Sequence, residues 1–170
     1  MDALHNTHVK LLAFDFLSLT SSASHPNAIC RRGTILLSRG ETLGIVTSRE
    51  YKPDRFLRFT IDDGTGCIPC VLWVNQLTSP YHSRRSPPDV RLIAESARNF
   101  ATLIQIGLSA RVRGKITMYR GKLQLTVSDV VVERDPNAET LHWLQCIRLA
   151  RKCYDIVPPS LPPMYRKADG

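Results

Sequence analysis

The stretch that most constrains the fold of this chain is residues 56–73. Phe56-Leu57-Arg58-Phe59-Thr60-Ile61 alternates after Phe56, with Leu57, Phe59 and Ile61 on one side and Arg58 and Thr60 on the other. Asp62-Asp63-Gly64-Thr65-Gly66 follows, a dense turn signal containing the Asp-Gly pair that favours tight hairpins. Cys67-Ile68-Pro69-Cys70-Val71-Leu72-Trp73 then returns. A lone two-stranded hairpin is marginal in water, so the rest of the chain must cover its apolar face. Pro69 cannot donate to a ladder, which requires an edge or a bulge at that point.

Three more strands are readable. Thr42–Ser48 is β-branched, and Gly44 marks a bend or bulge. In residues 110–119, Ala110, Val112, Gly114, Ile116 and Met118 point inward, whereas Arg111, Arg113, Lys115, Thr117 and Tyr119 point outward. Arg120-Gly121 forms a turn, and 122–127 alternates again with Leu123, Leu125 and Val127 inside. Between the third and fourth strands, Val90, Ile93, Ala94 and Ala97 fall at helical spacing, predicting a helix over 89–100 capped by Asp89. Five strands with a helix between the third and fourth outline an all-β class, the five-stranded OB-fold barrel. The barrel is expected over 31–134, preceded by an N-terminal extension over 1–30. In that extension Val9–Leu19 forms a short strand or helix and 21–30 a polar loop. Residues 135–155 are expected to form a C-terminal partner-binding helix, with Asp135 as N-cap and Pro136 at the first position. Residues 156–170, with Pro158-Pro159 and Pro162-Pro163, read as a disordered tail.

Charge points to the kind of partner. The formal net charge is +8, which favours a polyanion, nucleic acid first. Residues 84–122 hold nine Lys or Arg against Asp89 and Glu95. Arg111, Arg113 and Lys115 form a stripe that ends at Tyr119, with Arg120 and Lys122 at the next turn. Arg49, Lys52 and Arg55, with Tyr51 between them, are placed in the loop after the first strand. Basic residues interleaved with aromatics suit a sequence-tolerant single-strand binder. Trp73 is either a barrel plug or a stacking platform. No apolar run approaches the roughly 20 residues of a membrane helix. Five cysteines in a chain of 170 residues suggest reduced thiols. Cys67-x-x-Cys70 is a weak zinc signal, because period two puts the two thiols on opposite faces. No nucleophile–base pair, Walker loop or dinucleotide fingerprint is present, so an enzyme is not expected, nor a cofactor. The C-terminal helix is apolar on more than one side, and Trp143, Ile147, Ala150 and Tyr154 form a face left for a partner helix.

The hairpin 62–73, with Leu43-Gly44-Ile45-Val46 before it and Gly114-Lys115-Ile116 and Tyr119-Arg120-Gly121 after it, resembles the middle subunit of replication protein A and its telomeric relatives. Residues 8–14 and the run Glu133-Arg134-Asp135-Pro136-Asn137-Ala138-Glu139 with His142-Trp143 resemble, more particularly, the short plant-type Stn subunit of the CST telomere-capping complex. That resemblance implies a nuclear protein at the chromosome telomere that binds single-stranded telomeric DNA. It also implies a small OB-fold CST subunit as partner of the C-terminal helix, a large CST subunit, and assistance to lagging-strand fill-in by primase–polymerase. By the same resemblance the short plant-type form is expected, without the C-terminal winged-helix domains of animal and fungal relatives. Arg58, Trp73, Arg111, Arg113, Tyr119, Arg120 and Lys122 are the expected nucleic-acid contacts. A protein-interaction scaffold and a general replication single-strand-binding subunit remain alternatives.

Overall fold

The structure is a computed structural model and describes residues 4, 6–21, 30–32, 35–80 and 85–154. In chain order the elements are β1 (His8–Lys10), α1 (Ala13–Leu17), β2 (Thr20–Ser21), β3 (Cys30–Arg32), β4 (Ile35–Leu37), β5 (Arg39–Lys52), β6 (Phe56–Asp62), β7 (Cys67–Trp73), α2 (Pro87–Leu103), β8 (Ser109–Tyr119), β9 (Lys122–Val132) and α3 (Ala138–Leu149). A π turn, Ala150–Tyr154, extends α3.

The long strand β5 closes the barrel because it serves two neighbours. Arg39–Ile45 pairs with β8 and Ile45–Lys52 with β6, both antiparallel. β6 pairs antiparallel with β7, β7 runs parallel to β9 through Cys70 and Val71, and β9 returns to β8. Such tight closure needs glycine where backbones meet. A Cβ on Gly44 would stand 2.2 Å from the Asp62 carbonyl oxygen, and one on Gly114 2.1 Å from that of Thr126. The interior comes from the alternating positions of every barrel strand, among them Leu57, Phe59, Ile61, Ile68, Cys70, Val112, Ile116 and Leu125. Each large apolar side chain fully buried here contributes about 1.5–3 kcal/mol over exposure. Pro69 sits where β7 has β6 on one side and no second strand yet, since β9 joins only at Cys70. That is the edge its missing donor requires.

The hairpin turn ties both ends of the chain to the barrel. Asp63, 1% exposed, accepts the Ala13 amide at Oδ2 (2.7 Å) and the Thr65 amide at Oδ1 (2.9 Å). The Phe14 amide donates to Thr65 Oγ1. The turn therefore caps α1, whose own N-cap, Leu12, has no side-chain oxygen to offer. From the other end, Trp143 Nε1 of α3 donates to the Asp63 carbonyl at 3.0 Å.

Several expected boundaries move. The first barrel strand starts at Arg39 and runs on to Lys52, so Arg49, Tyr51 and Lys52 belong to a strand and the loop shrinks to Pro53–Arg55. α2 begins at Pro87 behind Ser86 as N-cap, which leaves Asp89 within the first turn. α3 begins at Ala138 behind Asn137; Asp135 instead accepts the Asn137 amide just outside the helix. Val9–Leu19 divides into both β1 and α1, and a small antiparallel sheet, β2–β3–β4, flanks residues 22–29. Those residues and the expected tail at 156–170 lie outside the described residues.

Candidate nucleic-acid interface

The outward positions of β6 and β7 and the tip of the β8–β9 hairpin converge on one exposed cluster. Phe56, directly opposite Trp73 in the β6–β7 register, is its buried base. The Trp73 ring meets it edge-on, with centroids 5.9 Å apart and planes at 80°. Trp73 keeps 41% of its surface exposed, so its ring is open to solvent and does not plug the barrel. The Arg58 guanidinium lies 4.4 Å from the Phe56 ring centroid and 5.6 Å from that of Tyr119. Lys52 Nζ sits 5.4 Å from the Phe56 centroid. Arg120 lies 5.3 Å from the ring of Tyr119, itself 45% exposed.

The backbone explains how Tyr119 and Arg120 reach this place. Arg120 (φ 50°) and Gly121 (φ 75°) both lie in the left-handed region between paired Tyr119 and Lys122, the signature of a two-residue primed turn. An arginine held there carries local strain of a kind that clusters at functional sites. Beside the cluster, a groove of about 390 Å³ is lined by Ser48, Arg58, Thr60, Pro69 and Gln124, with others. Thr60 Oγ1 lies 2.6 Å from Thr47 Oγ1 and 2.8 Å from Ser48 Oγ, so hydroxyls line part of this wall. Chemically the site offers exposed π faces, cations and hydroxyls, the set that stacks bases and neutralises phosphates.

Arg58, Trp73, Tyr119 and Arg120 are thus brought together, and Lys122 stands at the same hairpin tip. Arg111 and Arg113 are not. Arg111 Nη2 bonds Glu133 Oε2 at 2.8 Å, and Arg113 Nε bonds Glu41 Oε2 at 2.6 Å. Lys10 and Arg111 also face Glu41, which is 3% exposed, and Arg113 reaches Asp129 at 3.8 Å. The hydrogen bond and charge of Glu41 hold Arg113 above its ordinary pKa, and Arg111 chiefly holds the Glu133 carboxyl below its own. Both arginines are engaged in an ion network with Glu41, Asp129 and Glu133, apart from the aromatic cluster. Arg49 is likewise committed: it donates to the carbonyls of Ile104 and Ala101, closing the C-terminus of α2.

The expected partner face of α3 also turns. Trp143 is held against the hairpin and Ala150 is buried in the core, so neither is free for a partner. Ile147 stays exposed, joined by Leu141 and Leu144; the Tyr154 side chain lies outside the described residues. Beneath α3, His142 is 1% exposed and its Nε2 lies 3.3 Å from Cys146 Sγ. Burial pushes the Cys146 thiol up to about 12, so it stays protonated beside that nitrogen. Cys67 is exposed and Cys70 buried, on opposite faces as period two requires, and no cluster of three metal-binding side chains exists among the described residues.

Phe56 and Glu41 are the site and network residues that the sequence did not single out, whereas Lys52 was expected in a loop and lies at the end of β5. The signal for Phe56 was present: it precedes Leu57 out of phase and so shares the outer face with Arg58. Glu41 carried no comparable signal, because its partners lie on other strands.

A barrel of this topology with an aromatic and cationic outer face defines a class, that of the OB-fold nucleic acid binding domains, whose family description matches residues 42–133. CST complex subunit STN1 of Arabidopsis thaliana is 48% identical over 91% of this chain and 96% of its own length. STN1 of Ailuropoda melanoleuca is 27% identical over 91% of this chain, which spans only 44% of that longer protein. Among solved structures, the Stn1–Ten1 complex of S. pombe shares the fold at a TM-score of 0.62 and 18% identity, over 82% of this chain and 88% of that one. The chain belongs to the STN1 family of CST complex subunits.

Proposed function

We propose that this protein binds single-stranded telomeric DNA on the Trp73–Phe56–Arg58–Tyr119 face and caps chromosome ends in the nucleus as a CST subunit. The observation that carries the reading is the cluster itself: the exposed rings of Trp73 and Tyr119 flank buried Phe56, with Arg58 over Phe56 and Tyr119 and Arg120 over Tyr119, on an OB-type barrel. A duplex hides its bases, whereas a single strand offers them for stacking. Membership of the STN1 family supplies the telomeric setting. A small OB-fold CST subunit would take the exposed Leu141, Leu144 and Ile147 face of α3, in keeping with the Stn1–Ten1 pairing of the fission-yeast neighbour. A large CST subunit completes the assembly, which would assist lagging-strand fill-in by primase–polymerase.

The test is an anisotropy titration of the whole chain with a G-rich telomeric single strand, a scrambled strand and a duplex, over a salt series. Single-strand preference that persists at physiological salt supports the reading. Affinity equal for strand and duplex and erased by salt contradicts it and favours the scaffold alternative.

A further inference from the structure

One register row crosses six strands on the outer face of the barrel. Arg58 stands opposite Val71, Val71 beside Thr126, Thr126 opposite Lys115, Lys115 opposite Arg39, and Arg39 beside His8. Residues in register share a face of the sheet. The row passes beneath the surface at Val71, 2% exposed, and then presents three basic side chains on β8, β5 and β1. At about 4.8 Å per strand, Lys115, Arg39 and His8 span roughly 10 Å. Lys115 is also joined to the aromatic site along its own strand: Lys115, Thr117 and Tyr119 lie on one outward line of β8, about 13 Å long.

The neighbouring row shows what is unusual. Lys10, Glu41, Arg113 and Asp129 stand in register with alternating signs, and they pair. Arg39 and Lys115 are both exposed, directly opposite each other, and have no ion-pair partner among the described residues. Like charges opposite across two strands repel, so the row costs stability when nothing anionic lies on it. Burial, then the charges of Arg39 and Arg113, hold the His8 ring below its ordinary pKa. No Phe, Tyr or Trp stands on the row, so it offers phosphate contact without base stacking.

We propose that Lys115, Arg39 and His8 form a phosphate track that carries the backbone of a single strand onward after it leaves the aromatic site. The proposal rests on the reading that the aromatic face binds single strands, and it adds a second contact zone on the far side of β8. Strands too short to reach past Tyr119 do not use it; longer ones bend around the barrel onto it.

Two oligodeoxythymidylates test this, one of about 6 nucleotides, within the roughly 4–16 that one such barrel takes, and one of about 24, beyond it. They are titrated against the wild type, Trp73→Ala, and the double variant Arg39→Gln/Lys115→Gln. The double variant should lose roughly 3- to 10-fold on the long strand and nothing on the short one. Its slope of log affinity against log salt should shrink by about 1.4, two phosphates at ~0.7 each. Lys115→Gln alone should give about half that change, and the melting temperature should not fall in either variant. Long-strand affinity and slope at the wild-type values overturn the proposal. So does a polyglutamate probe that binds the wild type but not the double variant while strand affinity is unchanged, which would give the row to an acidic protein segment. Failure of the aromatic reading looks different, because Trp73→Ala would then leave the short strand unaffected.

Discussion

Trp73 and Asp63 sit at the two ends of the same hairpin and do opposite work. Trp73 presents a half-exposed ring to solvent over Phe56, so its removal should cost binding and little stability. Trp73→Ala is expected to weaken single-strand affinity by about 5- to 150-fold, the equivalent of 1–3 kcal/mol of stacking, with an unchanged melt. Asp63 is buried and accepts the Ala13 amide, so it affects the fold instead. Asp63→Ala leaves that donor without its partner, at a cost of about 1–3 kcal/mol. A lowered melting temperature by calorimetry, with Asp63→Asn intermediate, is the expected result. Residue-level reading of the sequence went furthest where one strand sufficed. Trp73, Arg58, Tyr119 and Arg120 were legible because alternation and one turn placed them outside. Arg111 and Arg113 were placed outside for the same reason, yet period two says nothing about carboxylates on the strands beside them. Glu41, Asp129 and Glu133 neutralise them only after the barrel closes.

At the scale of elements, α3 shows what composition leaves open. Its apolar residues exceed one stripe, so two faces were legible, but which one meets the barrel depends on a donor–acceptor match. Trp143 Nε1 finds the Asp63 carbonyl, Lys10 Nζ finds Gln145 Oε1, and Leu141 and Leu144 are left outside. Leu144→Glu should therefore abolish co-purification with a small OB-fold partner while single-strand affinity of the isolated chain stays unchanged. The inner face carries a pH dependence. Burial chiefly keeps the His142 ring below its ordinary pKa of 6.5, with Lys10 and Arg111 adding to this and Glu41 and Asp63 opposing it. The unfolded chain takes up the proton near pH 6.5 and the folded one resists it. The stability due to the neutral ring is thus complete above about pH 6.5 and declines as pH falls through the folded value. Melting temperature should fall between pH 7 and 5.5, and His142→Gln should flatten that slope, leaving the part due to His8. The β5 strand teaches a related lesson. Its ends were misread by several residues because its polar residues, Arg39 to Glu41 and Arg49 to Lys52, break the apolar pattern while still pairing with β8 and β6.

For the whole molecule, strand order and closure were legible from five alternating stretches, one intervening helix and two glycines. The division of charge was not. The net +8 is a sum over the chain, and among the described residues the structure sets three charged groups apart. One is an internal network around Glu41, one an aromatic cluster beneath Arg58 and Arg120, and one an unpaired row at Lys115 and Arg39. The second sets cations beside the exposed rings of Trp73 and Tyr119, and a single strand is proposed to lie there. Photo-crosslinking of the whole chain to a telomeric strand carrying 5-iododeoxyuridine, with mass spectrometry of the adducts, measures this most directly. The expected adducts fall on Trp73 or Tyr119. Adducts confined to α3 or to the outer face of α2, with Trp73 and Tyr119 unmodified at saturating strand, would contradict the claim.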